Sequence, residues 1–152
     1  MRTLLVAATI LVAGFALAAA NAPAPAETDA RAPKPLALRS IMKELGRNMQ
    51  VITDGISRED WALIEKTAPR VADHPQPPMS ERLRILAFAG TDAGRFKAYD
   101  GETNMAAEAL AKGARAKDGE VTILAFQKLQ SSCFNCHREF RKPFVEHFYG
   151  AQ

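Results

Sequence analysis

The sequence predicts an all-α protein, an antiparallel up-and-down four-helix bundle, on three observations. Apolar residues return at three- and four-residue steps along four separate stretches, the period of one helix face. No window alternates apolar and polar residues for long enough to make a strand. Short connections rich in Gly or Pro join the stretches, as between antiparallel neighbours. The 152 residues, 47% hydrophobic and 24% charged, amount to one globular domain. Lys plus Arg number 20 against 17 for Asp plus Glu, a net charge of +3 with no basic block, which argues against nucleic acid as a partner.

The N-terminus is set apart before any helix begins. Thr3 to Ala20 carries no charge, follows Arg2, and runs into Ala18-Ala19-Ala20-Asn21-Ala22. This pattern predicts a secretory signal peptide over 1–20; the A-x-A ending without a basic stop-transfer patch weighs against the alternative, a membrane anchor. The product is expected in a bacterial periplasm, with no stable membrane insertion. Residues 21–34 are Ala, Pro and charge, a flexible tether ahead of a four-helix domain over 35–152.

The first helix starts near Pro35 and carries Leu38, Ile41, Met42, Leu45, Met49 and Ile52 on one stripe. Ser57-Arg58-Glu59-Asp60 reads as a capping box opening the second helix, with Trp61, Ile64, Ala68 and Val71 inward and a stop at His74-Pro75-Gln76-Pro77-Pro78. The third opens at Ser80, is interrupted at Gly90-Thr91, and continues through Phe96, Tyr99, Ala106 and Leu110 to Lys117-Asp118-Gly119. The fourth runs from about Glu120 to Lys142, with Phe126, Leu129, Cys133, Cys136, His137 and Phe140 on one face. Pro143 is expected to end it, leaving Phe144, Val145, Phe148 and Tyr149 as an apolar tail.

Cys133-Phe134-Asn135-Cys136-His137 is a C-x-x-C-H sequence, the attachment signature of c-type haem. Residues three and four apart share one side of a helix, so both thiols can reach the vinyl groups along one porphyrin edge while His137 offers a ring nitrogen to the iron. One covalently held haem c per chain is therefore expected, and export agrees with it. Three rivals compete. A dithiol redox site normally opens a helix after a strand, whereas this pair lies near a helix C-terminus in a chain without strands. A structural zinc needs four ligands, and only His74 and His147 remain as usual partners. A disulfide closing so short a loop removes little chain entropy.

The other axial position decides between electron transfer, with both positions filled, and binding of small gases, with one open. In an antiparallel bundle the end of the fourth helix lies beside the start of the first. His137 stands about 7.5 Å from the end at Lys142 and Met42 about 10.5 Å from the start at Pro35, so their levels match. Met49 lies about 10.5 Å deeper, Met79 falls in a Pro-rich loop and Met105 on the third helix. Spacing alone leaves Met42 either a core side chain or an iron ligand. Gly46, one turn on, would let a flat macrocycle approach the backbone, or is simply tolerated. Arg39 and Arg141 are either propionate partners or surface cations, and Phe140 packs against haem or in the core. His74 and His147 are not taken as ligands.

Two segments carry a family resemblance: Cys133-Phe-Asn-Cys136-His137-Arg-Glu-Phe140-Arg141, and Met42-Lys-Glu-Leu45-Gly46-Arg-Asn-Met49. With them the chain resembles the class II c-type cytochromes, the cytochrome c-prime family, over roughly residues 35–143. The second segment looks like the first helix of the low-spin, methionine-ligated members and is also similar to that of the soluble periplasmic b-type bundle cytochrome. The resemblance implies Met42 as distal ligand opposite His137, with Cys133 and Cys136 as thioether anchors. It implies a carrier of single electrons between redox partner proteins, not an enzyme. The alternative within the family is a five-coordinate haem binding nitric oxide or carbon monoxide. The interrupted third helix and the tail beyond Pro143, whose apolar residues could pack over a haem edge, depart from the family pattern, and pairing of two bundles through the first and second helices stays open.

Overall fold

A computed structural model describes residues 35–150; the signal peptide expected over 1–20 and the tether over 21–34 lie outside the described residues. Among the described residues every regular element is helical. Helix α1, Ala37–Ser57, starts after Pro35 and Leu36, without a side-chain cap of its own. Its first N–H, on Ala37, donates instead to Glu81 Oε2 at 2.7 Å, a carboxylate 44 residues away.

The second helix begins differently from the sequence expectation. α1 runs through Ser57, whose hydroxyl donates back to the Thr53 carbonyl at 2.9 Å, so Ser57 is not a cap. The chain reverses at Glu59, at φ 53°. Asp60 then accepts from the Leu63 N–H at 3.0 Å and caps α2, Trp61–Thr67. Ser57 stays in the helix because bonding inside it satisfies the hydroxyl, while Asp60 supplies the acceptor three residues later.

The expected continuous second helix is also broken. Pro69 has no N–H for the preceding turn, so α2 stops and α3, Pro69–Ala72, restarts with proline at its first position. After a non-helical stretch come α4, Met79–Ala89, a 3-10 turn at Gly90–Asp92, and α5, Ala93–Arg115. The interruption foreseen at Gly90-Thr91 is there: Gly90 has φ +53°, a conformation L side chains rarely adopt.

α6, Gly119–Cys136, is capped by Asp118, whose carboxylate accepts from the Val121 N–H at 3.0 Å. Contrary to expectation the chain does not leave the helix before Pro143. It widens into a π-helical turn, His137–Arg141, and continues as α7, Lys142–Tyr149. Pro143 cannot bond the Glu139 carbonyl and its ring would press on it; widening the preceding turn accommodates both effects without ending the helix.

Four helical passes share one core. Ile52 comes from α1; Ile64, Val71 and Ala72 from α2 and α3; Ala106, Leu110, Ala111 and Ala114 from α5; Ala125 and Leu129 from α6. The alanines let the helices approach closely. At Gly113 a Cβ would meet Thr122 Oγ1 at 3.0 Å and the Thr122 nitrogen at 3.1 Å, so α5 and α6 cross there almost backbone to backbone. Among the described residues no helix is long and apolar enough to cross a membrane.

Candidate functional site

At the other end from this core, α1, α5, α6, the π turn and α7 leave a cavity. Its wall takes Leu38, Arg39 and Met42 from α1, Phe96 from α5, Cys136 from α6, His137, Phe140 and Arg141 from the π turn, and Phe144, Val145 and Tyr149 from α7. It encloses about 310 Å³ and opens on one side, near the lower end of the range for cofactor sites. The π turn explains why so many neighbours face it. The pairs 136–137, 140–141 and 144–145 are four apart, a spacing that drifts round a turn of 3.6 residues and drifts less round a wider one.

Side chains on α5 and α4 hold this end in place. Tyr99 donates to Glu139 Oε2 at 2.9 Å, and Arg95 bridges Glu139 Oε1 and Asp92 Oδ1, each at 2.6 Å. Phe140 is buried with its ring edge-on to Phe96 at 5.3 Å. Phe88 of α4 meets Phe144 at 5.5 Å and Phe148 at 5.6 Å on α7.

The structure brings Met42, Cys136 and His137 to this one cavity, with Met42 39% exposed. Cys133 is not in the wall. It packs against the core, its thiol beside the Thr103 and Ser132 hydroxyls. Met49 also packs on the core, while Met79 and Met105 are exposed away from the cavity. Gly46 is exposed and forms no part of the wall. His74 is bound to Asp100 on α5, and His147 lies against Phe88.

Both cysteines are free thiols. Burial, reinforced by the charges of Cys133, Asp100 and Glu139, pushes Cys136 up to about 11. Burial also raises Cys133, against the pull of its hydroxyl neighbours. Both are therefore protonated at neutral pH, opposite to the activated thiolate a dithiol redox site requires. Partial burial, then the Arg141 charge, hold His137 below the usual imidazole value, which favours a neutral ring with a lone pair to give.

The residues present suit a haem: phenyl rings, a thiol, an imidazole and a thioether line one largely apolar cavity. It also holds polar groups left without partners. Among the described residues neither Arg39 nor Arg141 is in an ion pair, and the buried Tyr149 hydroxyl has no hydrogen-bond partner. Cys133 would have to turn from Thr103 and Ser132 to join. Sequence reasoning placed Tyr149 in an apolar tail able to pack over a haem edge, but a helix ended at Pro143 gave it no register against His137 and no role for its hydroxyl.

Fold and site together define, among the described residues, an all-helical domain with a cavity at one end, lined by a methionine-bearing first helix and by the cysteine- and histidine-bearing C-terminal helical run. Comparison with protein-family models, curated proteins and solved structures finds no significant match to the chain.

Proposed function

We propose that the protein is an exported, periplasmic monohaem c-type cytochrome, an antiparallel four-helix bundle that accepts and donates single electrons. The observation that carries this reading is the meeting of Met42, Cys136 and His137, from opposite ends of the chain, in one cavity. A bound haem iron would supply the one-electron oxidation and reduction. The thiols of Cys133 and Cys136 would anchor it, each S–H adding across a vinyl group, sulfur to one carbon and hydrogen to the other, with no net oxidation. His137, through a ring nitrogen, and Met42, through its thioether sulfur, would hold the iron. Phe96, Phe140 and Phe144 keep water from the enclosed side. With both residues retained as ligands in either oxidation state, little rearrangement would accompany electron transfer, and the Met42 thioether would favour the reduced iron relative to a second histidine.

The test is the optical spectrum of the purified protein, oxidised, reduced, and reduced under carbon monoxide, beside a Met42→Ala variant. Sharp low-spin bands, no response to carbon monoxide, and loss of both properties in Met42→Ala are expected. Broad high-spin bands with an immediate carbon monoxide shift in the unaltered protein would assign gas binding instead. A colourless chain with two titratable thiols would sink both haem readings.

A further inference from the structure

The Tyr149 hydroxyl is buried and without a hydrogen-bond partner, on a residue that lines the cavity. A buried donor left unpaired is costly, so it calls for an acceptor that the described residues do not provide. The carboxylates of α4, the π turn and α7 have other partners. Glu81 accepts from Ala37, Glu139 from Tyr99 and Arg95, and Glu146 from Lys142. The surroundings specify the acceptor's charge. The Arg39 guanidinium lies 5.5 Å from the centre of the Tyr149 ring, and Arg141 shares the same wall. A phenol beside one guanidinium, in a wall that carries a second, is a site for a carboxylate, which only accepts when ionised and can take several donors.

We propose that Tyr149 donates its hydroxyl hydrogen to a carboxylate of the haem, with Arg39 and Arg141 as its countercharges. This rests on the haem reading above and adds a role for α7. The last helix then holds the cofactor by its acidic edge, while Cys133 and Cys136 hold it covalently. The hydroxyl is a positioning group, and it takes no part in electron transfer itself.

Tyr149→Phe in the haem-bearing protein removes one oxygen and keeps the ring under Arg39. Resonance Raman spectra read the propionate bending band, thermal unfolding reads stability, and a haem stain after a denaturing gel reads covalent attachment. The expected result is a displaced propionate band and a melting temperature lower by a few degrees, with haem staining and low-spin spectrum unchanged. Arg39→Gln is expected to displace the same band. An unchanged band on a chain that stains for haem would overturn the proposal and leave the cytochrome reading intact. So would a melting temperature that rises, as deletion of an orphaned hydroxyl predicts. An unaltered chain that never stains for haem would overturn both.

Discussion

His74 shows how far a single residue's chemistry depends on a neighbour that its local sequence does not reveal. Its Nδ1 is 3.0 Å from the Val71 carbonyl and its Nε2 3.3 Å from Asp100 Oδ1 on α5, with the side chain 6% exposed. Two acceptors facing the two ring nitrogens favour the imidazolium. The hydrogen bond to Asp100 raises the pKa, burial opposes it, and the Val71 carbonyl adds to the rise. With the folded value above the unfolded one, the stabilisation is fully present below about 6.5 and is lost as pH rises through the folded value. The melting temperature is therefore expected to fall over that interval, and to fall less in His74→Gln. Superimposable pH profiles of the two proteins would show that the pair contributes nothing. His137, shifted the other way, cancels in the comparison. In the sequence His74 is only a residue before a proline run. Asp100, its partner, is 26 positions away and is brought near only by the packing of α3 on α5.

At the scale of elements, the prolines carry the difference between expectation and structure. The three-four stripe marks all four passes correctly, and the break at Gly90 was legible because a glycine with a turn residue behind it punctuates a helix visibly. Pro69 and Pro143 were misjudged in opposite senses. The first was read through although it splits a helix, and the second was read as a stop although the helix widens and goes on. Apolar periodicity reports which side a residue faces, not whether one turn holds an extra residue. Pro143→Ala restores the missing N–H and is expected to close the π turn into α-helix, rotating α7 by about 100° and parting Phe88 from Phe144. Backbone chemical shifts across 137–141 read the first change, and loss of nuclear Overhauser contacts between the two rings reads the second. Persistence of the π turn would assign its cause to the Glu139 clamp rather than to the proline.

The whole molecule has a densely packed end and an end built round a space. The core end was largely legible: the inward residues named for each helix include Ile52, Ile64, Ala68, Val71, Ala106, Leu110 and Leu129, all of them buried. At the other end, counting rises along two helices put Met42 and His137 at one level. The cavity between them, however, depends on α7, which that counting did not contain. Leu129 is 0% exposed, and Leu129→Ala is expected to cost about 2–5 kcal/mol in denaturant unfolding. Amide exchange in the haem-free chain should be slower at 110–114 and 125–129 than at 38–42 and 144–149, and equal protection at the two ends would contradict the division. The bond from Ala37 to Glu81 bears on how such a chain tolerates processing. Because α4 supplies the acceptor at the start of α1, the first helix does not rely on a capping side chain of its own. Under the proposed export, cleavage upstream could vary in position without fraying the turns that carry Arg39 and Met42.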